Sequence, residues 1–184
     1  MPRVNELGDL EITDPRAMRA LAHPVRLTIF ERLQRHGPAA VAELAESAGT
    51  TPSATGRHLR QLAEHGLVVQ SEGIWKAVGT GIYFQPADDD ESQAAYRALA
   101  NQLFLRVDEL PRRWMAEDEP RLDGDWLRVS GHSNARMTMT VDEAAELDAQ
   151  MEKVLEPYVT RDPSEAPRDA RPVRWLRYVM PEAN

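Results

Sequence analysis

The chain has 184 residues, 42% of them hydrophobic and 28% charged, with a formal net charge of −8 and no cysteine. That composition suits one large or two small globular domains, and the missing cysteine excludes disulfides and thiolate metal sites. No apolar run reaches membrane-spanning length and no apolar leader opens the chain, so a cytoplasmic location is expected.

The charge is unevenly placed. Residues 1–87 hold nine basic and nine acidic residues, whereas 88–184 hold thirteen basic against twenty-one acidic. Over 15–87 the balance is eight basic to five acidic, so only the first half is electrostatically suited to a polyanion.

Residues 1–13 are polar and unpatterned and read as a frayed arm. Asp14-Pro15 then supplies a cap and a first helical residue for a helix over 15–22, with Met18, Leu21 and Ala22 on one side. His23-Pro24 interrupts it, since a residue before proline is pushed out of the helical region. A second helix follows from Pro24 to the Gly37-Pro38 stop, with Val25, Leu27, Ile29, Phe30 and Leu33 apolar. A short helix spans 41–48. After the turn Gly49-Thr50-Thr51 comes a helix over 52–64, with Thr51 as its cap. Ala54, Leu59, Leu62 and Ala63 give its buried side. Ser53, Gly56, Arg57, Arg60, Gln61 and Glu64 fall on the other, with Thr55 near the edge. Extended segments are expected at 67–71, 74–76 and 82–85, as a hairpin with its tip near 77–81.

The run "PADDDES" marks a boundary, and a capping serine at 92 opens the longest helical pattern, over 92–117. Tyr96, Leu99, Leu103, Val107, Leu110 and Trp114 recur every three or four residues, with a kink expected at Pro111. Such a stripe packs on its own domain or pairs with a second chain. Strands are expected over 126–131 and 135–140. A helix follows from the capping-box pair Thr140 and Glu143, and a last strand is expected in "VRWLRYVMP". Trp114, Trp126, Tyr158, Trp175 and Tyr178 all lie in the acidic half and are expected to pack its core; the alternative is that some line a pocket between the long helix and the C-terminal sheet, with Arg128, Arg136 or Arg177 as its polar groups.

Three helices, the third capped and polar on one face, followed by a hairpin, is the order of parts in a winged helix-turn-helix. In that geometry the N-terminus of helix 52–64 points N–H groups and positive dipole at phosphates. Arg57 suits bidentate contact with guanine and Gln61 with adenine. Ser53 and Thr55 suit phosphate or base contacts, Arg60 the backbone, and Lys76 a phosphate beside the wing. Gly56 and His58 complete the candidate DNA-binding set. For His58, packing or backbone bonding at the helix edge competes with base reading.

The segments "RALAHPVRLTIFERL", "VAELAESAG" and "TPSATGRHLRQLAEHGLV", with a hairpin ending in "IYF", resemble the ArsR-like winged-helix transcriptional regulators. The resemblance covers about residues 16–86. It implies a homodimer that binds an inverted-repeat DNA operator, usually as a repressor, and is released by an effector. Two departures stand out: Gly56 replaces a serine common in the family, and Lys76 alone supplies basic charge to a wing that is often arginine-rich. Many relatives sense metals through cysteines or through His and carboxylate pairs. Here the helix 92–117 offers only carboxylates such as Asp108 and Glu109, so no metal and no other cofactor is expected.

The expected fold is α+β, mainly α. A winged helix-turn-helix domain occupies 1–87, and an acidic region with a long dimerisation helix and a small α/β part occupies 88–184. The expected function is a dimeric DNA-binding regulator, with a non-metal small-molecule effector as a further partner. The alternative is a protein-interaction module whose winged helix has weak or no DNA binding. No enzyme is expected: His132, Ser133 and Asp125 lie near one another, but without a nucleophile-elbow motif.

Overall fold

Capping residues and prolines fix where the helices begin. The computed structural model describes residues 3–5 and 8–182. The carboxylate of Asp14 accepts from the Arg16 N–H at 2.8 Å and opens α1 (Pro15–Leu21). His23 Nδ1 accepts from the Val25 N–H at 3.2 Å and opens α2 (Pro24–His36). The Glu43 carboxylate accepts from the Ala40 N–H at 3.3 Å at the start of α3 (Val41–Ser47). Thr51 Oγ1 accepts from the Ala54 N–H at 3.3 Å and opens α4 (Pro52–Glu64), with the bounds expected from the sequence. Pro15, Pro24 and Pro52 stand where a helix has no use for a further N–H donor. Met18, Leu21, Leu27, Ile29, Phe30, Leu33, Leu44, Leu59 and Leu62 from these four helices are buried together.

The strands form two small sheets. β1 (Arg3–Val4), β2 (Asp9–Ile12) and β6 (Gly81–Phe84) make one, in the order β1-β2-β6, with β2 and β6 parallel. Thus 9–12 is not a frayed arm: Leu10 and Ile12 point inward and are buried, while Asp9 and Glu11 alternate with them. Residues 1, 2, 6 and 7 of the expected arm lie outside the described residues. The second sheet joins β3 (Ala39–Ala40), β5 (Ile74–Ala77) and β4 (Val68–Ser71), in that order and antiparallel. Its hairpin turns at Glu72-Gly73, not near 77–81. Both turn residues have positive φ, 51° and 81°, as a tight two-residue hairpin loop requires. At 77–81 the chain instead leaves β5 for the other sheet.

Asp89, and not Ser92, caps α5 (Asp90–Val107): its carboxylate accepts from the Ser92 N–H at 2.9 Å, and Ser92 itself is buried. α5 packs on α1, with Ala95 and Leu99 in the common core and Arg19 Nη1 2.5 Å from Glu91 Oε1. The helix breaks at Asp108, before α6 (Glu109–Arg113). Pro111 accounts for this place, because it has no N–H for the Val107 carbonyl and its ring crowds that group. A π-type turn over Trp114–Asp118 and a 3-10 turn over Glu119–Arg121 follow.

Contacts divide the chain into Met1–Thr138 and Met139–Asn184, and α5 lies in the first of these units. Near the end of that unit, 124–129 is helical, against the strand expected over 126–131. Asp123 accepts from the Trp126 N–H at 3.1 Å and starts α7 (Gly124–Val129). Residues 135–140 have no regular structure. The second unit holds α8 (Val141–Val159), opened by the expected capping box: Thr140 N–H to Glu143 Oε2 at 2.7 Å, and Glu143 N–H to Thr140 Oγ1 at 3.2 Å. Residues 173–181 form no strand, and Arg177 Nη2 lies 2.5 Å from Asp148 Oδ1 of α8. Tyr158, Trp175 and Tyr178 are exposed rather than in a core.

Candidate nucleic-acid interface

The candidate interface is the open side of α4 with the adjoining hairpin. In the first turn of α4, Pro52 has no N–H and Thr51 Oγ1 takes the Ala54 N–H, which leaves the Ser53 N–H at the positive end of the helix dipole. Ser53, Arg57, Arg60 and Gln61 are exposed, and Lys76 stands outward on β5 between the buried Trp75 and Ala77. Neither Arg57 nor Arg60 makes a hydrogen bond or ion pair among the described residues, so both guanidinium groups are open to an acceptor. Gly56 is half-buried, and a Cβ placed there would meet nothing within 4 Å.

One expected member, Thr55, leaves the surface, and another, His58, is partly withdrawn from it. Thr55 is fully buried, with its Oγ1 unpartnered among the described residues, and cannot reach a phosphate or a base. The signal was in the spacing: 55, 59 and 62 form an i, i+4, i+7 row with Leu59 and Leu62. His58 is half-buried, its ring centroid 5.0 Å from that of His23 and its Nδ1 buried without a partner. That is packing geometry at the helix edge. Burial pushes the His58 imidazole below its ordinary value, with His23, Arg26 and Arg57 adding to the effect. His23 is lowered by burial first and by Arg26 second.

Arg26 of α2 is the participant that sequence reasoning missed. Its Nη1 donates to Gln61 Oε1 at 2.8 Å, its Nη2 to the Arg19 carbonyl at 3.3 Å, and its Nε to the Ala20 carbonyl. Burial lowers its pKa. One side chain thus ties α1, α2 and α4 together and fixes the amide end of Gln61. Partners 35 residues apart leave no local signal in the sequence.

Half of the stripe assigned to dimerisation packs on its own chain. Leu99 is fully buried, and Tyr96 and Leu103 pack against the same core, with the Tyr96 ring 5.3 Å from Phe84. Val107, Leu110 and Trp114 are half-buried. Leu105, outside the expected stripe, is 66% exposed.

A short helix, a tight turn and a capped second helix bearing two open arginines define a helix-turn-helix domain, the mark of a DNA-binding regulator. Residues 21–71 match the family model described as a helix-turn-helix domain, a span running from the end of α1 to the end of β4. No curated protein and no solved structure matches the chain. Among the described residues, no helix is long and apolar enough to cross a membrane.

Proposed function

We propose that this protein is a homodimeric, sequence-specific transcriptional repressor of the ArsR-like kind. In this reading α4 enters the major groove and the β4–β5 hairpin serves as the wing beside it. The observation that carries the proposal is Arg57. It is exposed and unpaired among the described residues, less than two turns from a capped helix N-terminus, with Ser53 and Arg60 on the same open side. That is the arrangement in which an arginine can reach guanine O6 and N7 while its neighbours hold the backbone. Gln61, held by Arg26, acts as a positioned amide whose second oxygen lone pair and Nε2 donors remain for bidentate contact with adenine. Two-fold pairing through the exposed flank of α5 around Leu105 would set two α4 helices about 34 Å apart, matching half-sites one helical turn apart. A non-metal effector would act by binding DNA-competent and incompetent states differently.

Selection of random genomic duplex fragments with the purified protein tests this. The expected result is enrichment of an inverted repeat, and a loss of about 1–3 kcal/mol in affinity for it with Arg57→Ala. No enrichment, and no effect of Arg57→Ala, would favour a protein-interaction module instead.

A further inference from the structure

Helices α2, α3 and α5 border an open groove of about 510 Å³, within the size range of small-ligand sites. Thr28, Glu31, Arg32, Arg35 and His36 of α2 form one wall. Ser47, the last residue of α3, and Arg106, near the end of α5, complete it. Three guanidinium groups and an imidazole line the groove with one carboxylate, Glu31, and a second carboxylate, Glu43, lies beside Arg32, in a chain of net charge −8. The groove is turned away from Gln61. Arg26, which reaches Gln61, and Thr28, which lines the groove, stand on nearly opposite sides of α2, since two residues turn a helix by about 200°.

The arginines differ in how they are held. Arg106 Nη1 lies 2.9 Å from Glu31 Oε2, and its Nη2 donates to the Pro24 carbonyl at 2.6 Å and to Thr28 Oγ1 at 2.7 Å. Arg32 donates to the Gly37 carbonyl at 3.1 Å and sits 3.7 Å from Glu43 Oε2. Arg35 is exposed and has no hydrogen bond or ion pair among the described residues. A concave wall with one open guanidinium, one set 3.7 Å from its carboxylate and one paired with Glu31 is chemistry for carboxylate or phosphate oxygens that meet Arg35 first.

We propose that this groove binds a small polyanion, an organic acid or a phosphate ester, with Arg35 making the first contact and Arg32 and Arg106 flanking it. The ligand competes with Glu31 for Arg106. Because Arg106 ties α5 to α2, this loosens the tie between α5 and the helices that lead into α3 and α4. That consequence rests on the regulator reading above; the binding does not.

The test is an amide-resolved NMR titration of the full chain with citrate and, separately, inorganic phosphate, against sodium chloride at equal ionic strength. The expected result is saturable shifts at Thr28, Arg35, His36, Ser47 and Arg106. Arg35→Glu, at an exposed position that does not disturb the core, should weaken binding about tenfold or more, and Arg35→Lys should recover part of it. Shifts that chloride reproduces, or that survive Arg35→Glu unchanged, overturn the proposal. A second arm uses the selected DNA fragment without citrate, where Arg35→Glu should leave affinity within about twofold. If that variant instead loses DNA affinity and citrate fails to bind, the groove is a backbone contact and the proposal fails. If citrate binds the groove in a protein that retains no DNA, the anion site stands and the regulator reading falls.

Discussion

The Thr55 hydroxyl is buried on the core side of α4 without a hydrogen-bond partner among the described residues. An unmade hydrogen bond of this kind costs about 1–3 kcal/mol. Thr55→Val keeps the branched shape and removes the hydroxyl. The variant should be as stable as the wild type or up to about 1 kcal/mol more so in urea, with unchanged DNA affinity. A variant with normal stability and weakened DNA binding would return Thr55 to the interface. The His23–His58 pair gives a second prediction. Both imidazoles are held below the ordinary histidine value of about 6.5, burial being the first cause, with Arg26 on α2 and Arg57 on α4 as charged neighbours. Where the folded value lies below the unfolded one, the unfolded chain binds more protons, so stability rises with pH and is lost as pH falls below about 6.5. The urea midpoint should therefore drop between pH 7 and pH 5, and drop less in His58→Gln. An identical slope in the variant would place the pH dependence elsewhere.

At the scale of elements, α5 separates two roles that one apolar stripe suggested together. Leu99 is fully buried beside Ala95 in the core shared with α1, so Leu99→Ala should cost about 2–5 kcal/mol of stability. Leu105 is exposed on the same helix, and Leu105→Glu should leave unfolding within about 0.5 kcal/mol of wild type. If α5 pairs protomers, the same variant should shift the sedimentation of the protein from dimer to monomer at micromolar concentration; no shift would remove α5 as the dimer helix. The helices were legible because their signals are local: Asp14, Thr51 and Thr140 each sit next to the turn they cap. β2 was not, because its four residues pair with Gly81–Phe84 far along the chain, and a burial alternation that short resembles chance. Segment 126–131 resembles a strand because "WLRV" suits one, while the cap directly before its helix, Asp123 to Trp126 N–H, decides the matter. On α4, exposure of Ser53, Arg57 and Arg60 follows from periodicity alone, whereas the Arg26–Gln61 bond depends on how α2 crosses α4.

For the whole molecule, the distribution of charge matters more than its sum. The residues that face solvent from α4 and the hairpin include Arg57, Arg60 and Lys76, while 88–184 carry the entire acidic excess of the chain. A DNA duplex responds to the local cations, since each neutralised phosphate releases condensed counterions. The long-range repulsion from the acidic half is screened within a Debye length of about 8 Å at physiological salt. Raising salt therefore weakens the first effect and relieves the second, and the slope of affinity against salt reports which dominates. If these three cations from each of two protomers meet phosphates or bases, log affinity should fall with log salt at a slope of roughly −5. Lys76→Ala should make that slope shallower by about 2, one unit per protomer, and lower affinity equally for operator and unrelated sequence, since a phosphate contact carries no sequence information. Arg57→Ala should act differently, lowering operator affinity much more than affinity for unrelated DNA. If Lys76→Ala leaves the slope unchanged, the hairpin stands clear of the duplex and α4 supplies the electrostatic contact by itself. A slope near zero in the wild type would mean that the acidic half masks α4, which is the behaviour of a protein-binding module and not of a DNA-binding one.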